Sequence, residues 1–171
     1  MLSQKIQDAL NAQINAEYYS SYLYLAMATH CEAINLKGFA NWMRVQTEEE
    51  MFHAMKFLDF VLERGGKVDL RAIEAPQSEW ESPLAIFEAT LEHEQHVTAL
   101  INKLVDLAIA ESDHATNSFL QWFVNEQVEE EATADGILQQ LKLMQNAPGG
   151  LFMMDRELSS RTFTPPADAA T

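Results

Sequence analysis

Six side chains of metal-binding type recur at matched spacing along this chain. Glu17 stands 33 positions before Glu50 and 36 before His53, and Glu94 stands 33 before Gln127 and 36 before Glu130. A shift of 77 carries the first three onto the second three, and also carries Glu49 onto Glu126. Glu50 with His53 and Gln127 with Glu130 are three apart, a step that keeps both side chains on one helix face. Carboxylates with one imidazole suit iron, manganese or zinc and poorly suit copper(I). A carboxylate shared by two ions holds them about 3.5–4 Å apart, close enough to act on one substrate together.

These residues sit where core residues belong. The apolar stripe of the second helical segment runs Phe39, Trp42 or Met43, Gln46, Glu50, His53, Phe57, Phe60, in steps of three and four. The first segment reads Ile6, Leu10, Gln13, Glu17, Ser20 or Ser21, Tyr24, Met27, Cys31; the third reads Leu84, Phe87, Leu91, Glu94, Thr98, Ile101, Val105, Ala108. The fourth reads Leu120, Phe123, Gln127, Glu130, Ala134, Ile137, Leu141, Met144. Taken singly, Glu17 or Glu94 reads as a surface or salt-bridged glutamate, and His53 as a hydrogen-bonded interior histidine. Four carboxylates in one core are another matter. Without counter-charge they must protonate or destabilise the fold by several kcal/mol each, and two divalent cations would neutralise them.

The spacing predicts an all-α fold: a four-helix bundle with a long crossover between helices two and three and a short fifth helix. The helices are expected near 3–32, 36–64, 83–111, 114–146 and 151–160, in one domain over 1–161, with a mobile polar tail over 162–171. Ser3 and Ser82-Pro83 read as helix starts, and Gly65-Gly66 and Pro148-Gly149-Gly150 as stops. The stretch from Lys67 to Ser82 loses helical period and is long for a simple connection, so it is expected to run the length of the bundle and leave helices two and three parallel. Gly136, inside the fourth helix, marks a kink or a close approach.

Composition narrows the function. The 171 residues carry 26 Asp+Glu against 11 Lys+Arg, a formal charge of -15, which opposes nucleic-acid binding; it would attract metal cations, though charge alone reads more simply as keeping the protein in solution. Cys31 is the single cysteine, so neither an intrachain disulfide nor a Cys-built zinc or iron–sulfur site is available. No apolar run reaches membrane-span length and no secretory signal is visible, so a cytoplasmic protein without a membrane partner is expected.

On these motifs the chain resembles a non-haem bacterial ferritin, a member of the ferritin-like diiron family, from Leu2 to about Ser160. The resemblance is carried by Asn15-Ala16-Glu17-Tyr18-Tyr19-Ser20-Ser21, by Glu49-Glu50-Met51-Phe52-His53, by Phe119-Leu120-Gln121-Trp122 and by Asn125-Glu126-Gln127-Val128-Glu129-Glu130-Glu131. Leu151 to Leu158 matches the family's short fifth helix. The resemblance implies a ferroxidase centre in which Glu17, Glu50 and His53 hold one iron. Glu50 then bridges to a second iron held also by Glu94 and Glu130, with Gln127 close by. It implies a weaker third iron site at Glu49, Glu126, Glu129 and Glu130, and a tyrosine beside the centre, Tyr24, able to donate an electron. It further implies iron storage and detoxification: Fe(II) oxidised by O2 or H2O2, and ferric mineral kept in a hollow homo-oligomeric cage of 24 subunits. Glu111, Asp113 and His114 are expected to line a channel.

The nearest rival is a haem-containing bacterioferritin, which also has a methionine after the bridging glutamate, where Met51 stands. Against it, the second half here carries Gln127-x-x-Glu130, where that family pairs Glu with His; no haem is expected, and Met51 reads as interface or core packing. A metal buffer that binds without oxidising is the other alternative. His30, His93, His96 and His114 fall off the metal stripes and read as surface or interface residues.

Overall fold

The computed structural model describes residues 2–165. Five helices follow in order: α1 (Gln4–Ala33), α2 (Lys37–Glu63), α3 (Pro83–Ala110), α4 (His114–Met144) and α5 (Gly150–Leu158), with no strand among the described residues. Each lies within two residues of the bounds read from the sequence, the ordinary uncertainty of frayed ends. Ser3, Ser82 and Asp113 accept from the backbone N–H of Ile6, Ala85 and Thr116 and so start α1, α3 and α4. Residues 166–171 of the expected tail lie outside the described residues. Within 162–165 there is no regular structure, yet the Phe163 ring lies 6.2 Å from that of Phe52.

The turns after α1 and α3 are tight, each with one residue at positive φ (Asn35, 62°; Ser112, 53°), so α1 with α2 and α3 with α4 form antiparallel hairpins. The crossover then runs along α1. Asn11 donates to the Lys67 carbonyl, Asn15 donates to the Ala72 carbonyl, and Trp80 meets His30 at 5.5 Å between ring centres. From Asn11 to His30 is roughly 28 Å at 1.5 Å per residue. Chain position 67 thus sits by the start of α1 and position 80 by its end. That path makes α2 and α3 parallel, as the long connection predicts.

Apolar side chains fill the bundle in two blocks. One gathers Tyr24, Met27, Phe39, Met43, Phe87 and Leu141; the other gathers Ile6, Leu10, Phe57, Ile101, Leu120 and Phe123. Between them lies a buried polar layer: Gln13, Glu17, Ser20, Ser21, Gln46, Glu50, His53, Glu94, Gln127 and Glu130. The stripes of α1, α2 and α4 lie almost as read, Phe60 and Met144 being only partly covered. On α3 the inward line shifts: Thr90, Val97 and Leu104 are buried, where Leu91, Thr98 and Val105 are partly exposed. Leu91 and Val105 looked more apolar than Thr90, and a single-turn window cannot tell adjacent rows of one helix apart.

Gly136 makes no close approach within the subunit. α4 runs through it unbroken, and nothing lies within 4 Å of where its Cβ would stand. Gly38 is the glycine that packing demands, since a Cβ there would fall 1.5 Å from the Asp155 carbonyl oxygen. α5 docks at this point. Asp155 accepts from the N–H groups of Gly38 and Phe39 (2.8 and 3.1 Å), capping an α2 that has no side-chain cap of its own. Met154 and Leu158 are buried beneath α5, while Phe152 and Met153 stay 72% and 70% exposed on its far side. No described helix is long and apolar enough to cross a membrane.

Candidate metal centre

The polar layer exists because two hairpins each deliver their ligand-type residues at mid-height. α1 brings Glu17, α2 brings Glu50 and His53 one turn apart, α3 brings Glu94, and α4 brings Gln127 and Glu130. All six are buried, Glu130 the least at 7% exposed. Glu17, Glu50 and His53 offer one ligand atom each within 4.8 Å of one another, and so do His53, Glu126 and Glu130. The remaining expected ligands belong to neither of these two groups. The Glu94 carboxylate accepts from Tyr24 Oη at one oxygen and from Gln127 Nε2 (3.2 Å) at the other. Glu49 is held by Arg161, and Glu129 is exposed.

The layer is short of positive charge. Among the described residues no Lys or Arg pairs with Glu17, Glu50, Glu94 or Glu130; the His53 ring, 3.3 Å from Glu50, is their one candidate. Burial, with Glu50 beside it, pushes the Glu17 carboxyl up to about 8 from an ordinary 4.5. Burial likewise raises Glu50, Glu94 and Glu130, reinforced by their mutual repulsion. Glu17 Oε2 is also a buried oxygen with no hydrogen-bond partner among the described residues. An orphaned acceptor facing two further ligand groups fits a divalent cation, which supplies both the missing partner and the missing charge.

Several participants escaped the sequence reading. Gln13 donates to Glu17 (2.8 Å), and Gln46 donates to Glu130 (2.8 Å) and Glu50 (3.2 Å). Both lie on the stripes, so a buried amide beside a buried carboxylate was the available signal. His93 is half-buried at the contact of α3 with α1: it bonds Ser20 at 2.8 Å and lies 6.0 and 5.9 Å from the Tyr19 and Tyr24 rings. Burial pushes its pKa down to about 4. Met51 is 43% exposed, which removes the core-packing half of its reading. Glu111 pairs with Lys5, and Asp113 caps α4 and pairs with Arg64, so both have structural employment.

A family profile described as "Ferritin-like domain" matches residues 7–144. The chain belongs to the ferritin family. Among its ferritin relatives, a bacterial non-heme ferritin of Bacteroides fragilis (strain 638R) is 47% identical over 161 residues, covering 94% of this chain and all of that protein. A bacterial non-heme ferritin of Staphylococcus aureus (strain MRSA252) is 39% identical, covering 95% of this chain and 98% of its own length. Among solved ferritins, a closed form of the Archaeoglobus fulgidus ferritin made by site-directed mutagenesis superposes with a TM-score of 0.95 at 57% identity, covering 96% of this chain and 100% of that one. The open-pore ferritin of that archaeon superposes at 0.93 with 56% identity, covering 95% and 99%. This ferritin fold is therefore the four-helix bundle with a short C-terminal helix that the sequence implied.

Proposed function

We propose that the protein is an iron-storage and detoxification ferritin whose buried polar layer is a two-iron ferroxidase centre. One observation carries the reading: four carboxylates and an imidazole meet in one core layer with no basic partner and one orphaned oxygen, Glu17 Oε2. Its ferritin kinship supports iron as the cation and a hollow cage of many copies, 24 by family resemblance, as the container. The apolar face that α5 leaves exposed supports association between copies.

Fe(II) is the substrate. Glu17, Glu50 and His53 bind one ion; Glu50, Glu94 and Glu130 bind the other, with Gln127 beside them. Each ion gives up one electron. O2 takes the two electrons with two protons to leave H2O2, or H2O2 takes them with two protons to leave two waters. The carboxyls hold protons near neutral pH until iron displaces them, so uptake itself releases protons at the reaction site. The apolar blocks above and below exclude bulk water from this exchange. The hydrogen bond from Tyr24 Oη to Glu94 supports a role for this tyrosine beside the second ion. His53 is fixed edge-on against Trp122 and Phe123, at 5.4 and 5.8 Å, which holds its imidazole toward Glu50.

Stopped-flow absorbance after adding about two Fe(II) per subunit in air tests this, comparing wild type with Glu94→Ala. Fast formation of a diferric species, abolished in the variant, is expected. Oxidation no faster than iron in buffer would remove the ferroxidase reading, and equal aerobic and anaerobic binding without turnover would leave a metal buffer.

A further inference from the structure

The C-terminal segment after α5 returns to the metal layer. Asn41 Nδ2 donates to the carbonyls of Leu158, Ser159 and Arg161, at 3.3, 3.4 and 3.0 Å, and pins this backbone to α2. The Arg161 side chain then lies along one row of α2, over Trp42, Gln46 and Glu49, which are four and three residues apart. Its guanidinium stands 4.3 Å from the Trp42 ring centre, donates to Gln46 Oε1 at 2.8 Å and forms an ion pair with Glu49. Phe163 follows, against Phe52.

Two consequences follow for the metal layer. An amide has one acceptor end and one donor end. Arg161 occupies the acceptor end of Gln46, so the donor end faces Glu50 and Glu130 and the amide oxygen is turned away from the ions. Arg161 also claims the Glu49 carboxylate, and Glu49 is absent from the His53, Glu126 and Glu130 group although it lies one turn from His53 on α2.

We propose that Arg161 is a tethered cation that stands in for a third metal ion at Glu49, so that an ion completes a site with Glu126 and Glu130 only when the C-terminal segment lifts from α2. This rests on the two-ion reading above and adds a positioning residue to it. The competition is between like charges for one carboxylate: a guanidinium already in place must be displaced, and it leaves behind its contacts with Trp42 and Gln46. Arg161 thereby sets how many ions the layer takes.

Zn(II), which is redox-inert, is the probe. Calorimetric titration of the assembled protein compares wild type, Arg161→Ala and Arg161→Lys. The first two ions should still bind all three proteins, changed at most a few-fold by release of the Gln46 amide, and the third should bind Arg161→Ala about tenfold more tightly or better, as loss of a charge-assisted bond implies. Arg161→Lys, which keeps the charge but not the forked contact, should fall between. In a Trp80→Phe, Trp122→Phe background that leaves Trp42 as the one tryptophan, fluorescence of the protein carrying Arg161 should change at the third equivalent as the guanidinium leaves Trp42, and Arg161→Ala should lack that step. Equal third-ion affinity in all three proteins, or no fluorescence step in the protein carrying Arg161, overturns the inference while leaving the two-ion centre intact. Failure of the first two ions to bind wild type overturns the two-ion reading itself, and this inference with it.

Discussion

Tyr24 on α1 donates its phenolic hydrogen to Glu94 on α3, joining the two hairpins at the buried polar layer from positions 70 apart in the chain. The bond favours the Glu94 anion against the burial and the Glu50 charge that oppose it. Tyr24→Phe keeps the ring and removes the donor. At neutral pH the second ion should then bind about tenfold more weakly, the size of one hydrogen bond to a charged group. Calorimetric titration decides it; tighter binding in the variant would mean that the tyrosine competes with the ion for Glu94.

The metal-free protein should lose stability as pH rises from about 5 to 8. Glu17 titrates near 8 in the fold against an ordinary 4.5, so below 4.5 both folded and unfolded chains hold its proton and no penalty arises. Between those values the unfolded chain has released a proton that the folded chain keeps, and stability falls with pH. Glu50, Glu94 and Glu130 shift in the same direction. Melting temperatures across this window should decline, decline less steeply in Glu17→Gln, and recover when Zn(II) is added. A melting temperature that climbs through the window would contradict the burial argument.

Gly136→Ala should stabilise the subunit by up to about 1 kcal/mol, the helix-propensity difference between the two residues. The site is exposed, and a methyl group there meets nothing within 4 Å. Chemical denaturation of the variant measures it. A loss of stability would place an intersubunit neighbour at this point on α4.

Gly38→Ala should act in the opposite sense. Its methyl would occupy the space of the Asp155 carbonyl, so α5 must shift and its cap on α2 is strained or lost. A cost of roughly 1–3 kcal/mol is expected from overpacking together with the damaged cap. Asp155→Ala removes the cap alone and should cost about 1 kcal/mol, the smaller loss. The two melting curves side by side separate close packing from capping, and equal losses would assign the whole effect to the cap.

The sequence by itself determined the helices, their ends, the crossover and the burial of Glu17, Glu50, His53, Glu94, Gln127 and Glu130. The reason is physical: a helix repeats every 3.6 residues, so inward positions are written locally, and six ligand-type residues on those rows stand out against Leu, Phe and Ile. The row that α3 turns inward was decided by its fit against α4 and α1, because neighbouring rows were nearly equal in apolar character. The place of His93 between Tyr19 and Tyr24 was likewise decided by helix contact, as the pairing of α1 with α3 has no local signature. Arg161 is the extreme case. It meets Glu49 from 112 positions away through a turn after α5, and no periodicity spans that distance. Only the tertiary structure brought that charge to the edge of the buried polar layer, since α5 first had to dock on Gly38 and turn the chain back along α2.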